Sequence, residues 1–94
     1  MSRKNLGLEK LMKEADENNY RAFYHLGLLY LRGQVVTQNY AEAAMWFAKA
    51  VEHGHVDSIY NLAELYHVGN GVEKNYEKRN ELWKLATSLT KKVA

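Results

Sequence analysis

The strongest constraint on this chain is that one stretch of it occurs twice. LYLRGQVVTQNY, residues 29–40, returns 36 residues later as LYHVGNGVEKNY, residues 65–76, with Leu, Tyr, Gly, Val, Asn and Tyr in the same places. Extending the same offset adds identical pairs at Tyr24/Tyr60, Leu26/Leu62 and Ala50/Ala86. Pairs of like character follow at Ala22/Ser58, Gly27/Ala63 and Phe47/Trp83. Self-similarity at a period of roughly 20–50 residues marks a repeat architecture, in which each unit hides its apolar flank only by stacking on a neighbour.

Each copy reads as a pair of helices. Ala22, Leu26, Leu29, Tyr30 and Gly33 share one helical face, and Ser58, Leu62, Leu65, Tyr66 and Gly69 repeat it. Gly33 and Gly69 fall where a last turn must close in the left-handed region, and Asn39 and Asn75 stand where the next helix needs a cap. The second helices carry Ala43, Trp46, Phe47 and Ala50, or Leu82, Trp83 and Ala86, and Gly54 ends the first of them. Small residues at 27, 43, 50, 63 and 86 let backbones approach while the aromatics fill the grooves between them. Anything larger than Ala at position 27 or 63 is expected to overpack.

The opening stretch aligns one period before WFAKAVEHGHVDS. Leu8, Leu11, Met12 and Ala15 form its stripe, and Asn18 or Asn19 takes the place of Gly54. The chain therefore reads as a single all-α domain over residues 1–94. It consists of an N-terminal half-repeat at 5–18, one repeat at 20–54 and a second at 56–92. Five helices are expected, stacked as antiparallel hairpins, with no strand-like alternation and no proline.

Composition narrows the function classes. A net charge of +2 with dispersed basic residues gives no footprint for nucleic acid or an anionic membrane surface. The absence of cysteine removes disulfides and thiolate metal sites. The beginning, MSRKNLGLEKLMKEADE, lacks the apolar core of a secretory signal, so a cytoplasmic location is expected.

The repeated residues resemble the Sel-one-like repeat (SLR), a relative of the tetratricopeptide repeat. In the first unit Ala22, Leu26, Gly27, Tyr30, Gly33, Val36, Asn39, Tyr40, Ala43, Trp46, Phe47, Lys49, Ala50 and Gly54 match the family pattern. In the second, Leu62, Tyr66, Gly69, Gly71, Val72, Asn75, Tyr76, Trp83 and Ala86 match it. Two departures stand out. Val35 sits where the family has a second loop glycine, so the first loop is expected to turn differently from the second. Arg79 and Leu82 replace Ala and Trp in the last helix, which reads as a cap. The resemblance implies a right-handed α-solenoid whose first helices line a concave surface that holds a partner protein.

On that surface the candidate partner-binding residues are Arg21, Tyr24, Leu28, Leu31 and Arg32 from the first unit. Asp57, Tyr60, Glu64 and His67 come from the second. Aromatic and Leu anchors rimmed by Arg suit a protein interface. A central helix buried on two sides is the competing explanation, and it is favoured for Leu28 and Leu31.

Other chemistries find no support. His53 and His55 do not assemble a tetrahedral ligand set with His25 and His67, so no metal and no cofactor is expected. GNGV lacks the ending of a phosphate loop and has no strand before it. Glu9, Glu14, Asp16 and Glu17 mingle with Lys10 and Lys13 as a solvated helix face, and no hydroxyl sits in a nucleophile motif. The basic residues of MSRK and of TKKVA, Lys91 and Lys92 among them, suit helix ends. The expected function is a non-catalytic protein-binding scaffold or adaptor. The alternatives are a homodimer through Trp83, Leu85 and Leu89 or the Tyr-rich groove, and a small inhibitor or immunity-type protein blocking an enzyme.

Overall fold

The computed structural model describes residues 5–91; the opening MSRK and residues 92–94, Lys92 included, lie outside the described residues. Five helices follow one another: α1 (Leu6–Asp16), α2 (Tyr20–Arg32), α3 (Tyr40–Val51), α4 (Val56–Val68) and α5 (Tyr76–Thr90). The helices α2 and α4, and α3 and α5, begin 36 residues apart, as the repeat requires. α2 packs on α3 and α4 on α5 as hairpins; α3 joins the two, and α1 lies against α2. No strand occurs among the described residues.

Side-chain caps set the helix starts. Asn5, Asn19, Asn39 and Asn75 each accept a backbone N–H from the first turn that follows. At α4 the cap is His55, whose imidazole accepts from the Ser58 N–H, the local capping role that suits a histidine just before a helix. Gly33 and Gly69 close α2 and α4 at φ +67° and +77°. Asn18 stands in for Gly54 at φ +64°.

The first loop does not turn differently. Val35 takes φ +69°, beside +73° at Gly71, so a β-branched residue occupies the left-handed region. The two positions differ in space rather than in conformation. A Cβ on Gly71 would collide with the backbone of Tyr40 and Ala41 at the start of α3, whereas Val35 is 60% exposed.

Stacking buries two adjoining apolar clusters. Ala15, Ala22, Phe23, Leu26 and Ala50 gather Leu8, Leu11, Tyr20, Leu29 and Trp46 around them. Ala43, Ala44, Phe47, Leu62 and Leu65 gather Tyr24, Leu28, Leu31, Tyr66 and Leu82. Phe47 ties the hairpin together: its ring lies over Gly27, where a Cβ would fall 2.5 Å from Cε1. Ala63, Ala50 and Ala86 are fully buried, the close-approach role their size suggests. Trp46 is packed with its Nε1 buried and unpartnered.

The replacement of Ala by Arg79 in the last helix changes the chemistry of its joint with α4. In the first hairpin Leu31 and Ala43 both belong to the apolar joint. Their counterparts are His67 and Arg79, and Arg79 Nη1 donates to His67 Nδ1 at 2.7 Å. The guanidinium also lies 4.5 Å from the Tyr76 ring centre and 4.6 Å from that of Trp83. Arg79 thus turns inward to its own hairpin partner.

Candidate functional site

On α2, Arg21, His25, Leu28 and Arg32 follow i, i+4, i+7, i+11 spacing and so share one face. Arg21, His25 and Arg32 are exposed and Leu28 is half-buried. With Leu11 and Glu14 of α1 this row lines two adjoining clefts, of about 430 and 200 Å³. The counterparts on α4 are Asp57, Asn61, Glu64 and Val68; all but the half-buried Asn61 are exposed. The first helices of the two hairpins thus present rows of opposite charge, Arg21 and Arg32 on one and Asp57 and Glu64 on the other.

The candidate residues divide accordingly. Arg21, Arg32, Asp57 and Glu64 stand exposed in the rows, with Leu28 at the floor. Tyr24 and Leu31 instead pack against the second cluster. The Tyr24 ring lies 4.7 Å from His55 and 6.2 Å from Phe47, in the joint between hairpins. Tyr60, its counterpart, is 47% exposed because no following helix start covers it among the described residues. His67 is engaged by Arg79 and by Tyr76, whose ring centre is 5.7 Å away. His25, Asn61 and Val68 belong to the rows although sequence reasoning left them out. The i+4 spacing from Arg21, carried over by the 36-residue offset, is the signal that finds them.

A histidine cluster lies at the head of the rows. Tyr20 is stacked on His53 at 6.0 Å and tilted against His55 at 5.6 Å. Burial pushes the His55 imidazole below its ordinary value of 6.5. Asp57 opposes this, and Arg21 and His25 reinforce it. An imidazole whose Nδ1 accepts from the Ser58 N–H is neutral and serves as a cap. Among the described residues no group of three His, Cys, Asp or Glu is placed to hold a metal ion, and no helix is long and apolar enough to cross a membrane.

Stacked helix hairpins, small residues at their contacts and an open wall of polar side chains define an α-helical repeat protein. The chain belongs to the Sel1 repeat family, whose model matches residues 21–55 and 56–90. Among solved structures it resembles c5321, described as a protective antigen of uropathogenic Escherichia coli strains displaying an SLR fold. The TM-score is 0.86 at 32% identity, covering 89% of this chain and 18% of that one. A Sel1 repeat protein from Oxalobacter formigenes matches with TM-score 0.84 and 28% identity, over 87% of this chain and 34% of the other. Cysteine rich protein B of Helicobacter pylori gives 0.84 and 25%, over 90% and 64%. This chain therefore spans less than two thirds of each. The fold is an all-α solenoid of a family whose members are generally non-catalytic protein-interaction scaffolds.

Proposed function

We propose that this chain is a non-catalytic protein-binding module that holds a segment of a partner protein along the wall made by α2 and α4. The observation that carries this reading is the pair of oppositely charged rows: Arg21 and Arg32 on α2, Asp57 and Glu64 on α4. Charges left in water on exposed helix faces contribute little to folding stability. They steer a complementary partner and fix its register. The segment that fits carries carboxylates toward α2 and ammonium or guanidinium groups toward α4, with an apolar side chain in the cleft beside Leu28. Tyr60, exposed next to the α4 row, supplies an aromatic contact.

The test is affinity capture from the native cell with wild-type protein and an Arg21→Glu/Arg32→Glu variant. The expected outcome is a captured protein that the variant loses at unchanged melting temperature. A capture profile identical for both proteins removes the wall as the binding site.

Self-association is the second reading, supported by the exposure of Trp83, Leu85 and Leu89. These three do not form one patch. Trp83 lines one cleft, while Leu85 lines another with Leu62, Tyr66 and Leu82. Light scattering over a concentration series separates the readings, because a monomer throughout removes the dimer.

A further inference from the structure

The outer face of α5 holds a shallow cleft of about 520 Å³ that the proposed wall does not use. Its position in the repeat tells what shape fits it. Asn80, Trp83 and Thr87 line it, and 36 residues earlier stand Ala44, Phe47 and Val51. Those three belong to the cluster by which α3 carries Leu62 and Leu65 of α4. Lys91, at the end of the cleft, corresponds to His55, the cap at which α4 starts. The cleft corresponds by the 36-residue offset to the seat on α3 that holds α4, so a helix is the shape that fits it.

The chemistry of the seat has changed. Around α3 the neighbours of Phe47 are small and apolar; around Trp83 they are Asn80, Thr87 and Lys84, the last in place of Ala48. Trp83 remains as an anchor, 43% exposed, with the Arg79 guanidinium over its ring. Lys84, on α5, and Lys91, the extended residue that closes it, line the same cleft seven residues apart. A copy of the repeat's own first helix would set apolar residues against these polar groups. An acidic helix would pair with them.

We infer that the α5 face, through Trp83, Lys84 and Lys91, docks an acidic amphipathic helix of a partner protein. It lies as α4 lies on α3, with an apolar residue on the Trp83 indole and two carboxylates seven residues apart on the lysines. This site is independent of the α2–α4 wall.

Trp83 can report on it directly. The chain has two tryptophans, and Trp46 makes no hydrogen bond through Nε1, so Trp46→Phe leaves Trp83 as the sole tryptophan, excited apart from the tyrosines at the red edge of the absorption band. Three synthetic helices are titrated. One carries a Leu stripe flanked by Glu at i and i+7, one has Lys at those two positions, and one is this chain's own α4 segment, residues 55–69. The Glu helix is expected to shift Trp83 emission and bind at least ~10-fold more tightly than the Lys helix, the equivalent of about 1.4 kcal/mol. The Lys84→Glu/Lys91→Glu variant should reverse that order. Equal affinity for the two peptides overturns the proposal, as does tighter binding of the α4 segment or no binding of the Glu helix. Should Trp46→Phe fail to fold, amide chemical-shift mapping on the wild-type chain answers the same question. Shifts centred on Asn80, Trp83, Lys84 and Thr87 support the site, and shifts along α2 and α4 overturn it.

Discussion

The ring of Tyr24 lies 4.7 Å from that of His55, so the side chain that caps α4 is pinned against α2. This contact sits in the joint between the two hairpins, and it makes the joint sensitive to protons. Burial holds His55 below 6.5, with Asp57 opposing and Arg21 and His25 assisting. Between the folded value and 6.5 the unfolded chain binds more protons, so stability rises with pH through that window. The contribution is complete above about 6.5 and is lost as pH falls through the folded value. Protonated Nδ1 would also cease to accept from the Ser58 N–H. His55→Asn keeps a cap but cannot titrate. Urea unfolding from pH 4 to 8 should show a wild-type loss of stability on acidification that the Asn variant lacks. Parallel profiles would remove His55 as its source.

Phe47 leaves no room over Gly27. Gly27→Ala places a methyl 2.5 Å from Cε1 of a fully buried ring, so the ring must shift within a packed joint. The expected cost is about 1–3 kcal/mol. A melting temperature lowered by roughly 4–8 °C for each kcal/mol is the readout. An unchanged value would show that the joint is looser than its geometry.

The two loop positions predict opposite signs. Val35→Gly relieves a side chain held at φ +69° in open surroundings and should stabilise by about 0.5–1 kcal/mol. Gly71→Val adds the same strain and meets the start of α3 as well, so a loss of at least about 2 kcal/mol is expected. Chemical denaturation of both variants checks the pair, and a destabilised Val35→Gly chain would contradict the assignment of strain.

Arg79 and His67 should behave as a unit. Arg79→Ala removes the donor to His67 and the cation over Tyr76 and Trp83, at a cost of about 1–2 kcal/mol. His67→Leu with Arg79→Ala rebuilds the Leu31–Ala43 joint of the first hairpin and should recover most of that loss. A double-mutant cycle measures the coupling; additive effects would mean that the contact contributes nothing.

Tyr24 and Tyr60 are one position in two environments. Tyr24→Ala opens a joint lined by Phe47 and His55 and should lower stability by about 2–4 kcal/mol. Tyr60→Ala, at an exposed ring, should leave the melting temperature nearly unchanged and weaken partner capture. Loss of stability at Tyr60 without loss of capture would take that residue out of the binding wall.

By itself the sequence determined the repeat, the number of helices, their ends and the small residues at their contacts. These follow from local rules: helical spacing of apolar side chains, glycine where φ must be positive, asparagine at caps. Each is written twice, so the second copy checks the first. The tertiary structure decided which exposed side chains share a surface. Spacing brought Arg21 and Arg32 into one list with Tyr24 and Leu31, but stacking put the first pair in solvent and the second in the joint. Only the neighbouring hairpin distinguishes Tyr24 from Tyr60, and only the packing of α5 on α4 gives His67 to Arg79 rather than to the wall. Val35 shows the same limit from the other side. The turn is imposed by the helices it connects, and a residue that disfavours the conformation is carried into it by their packing.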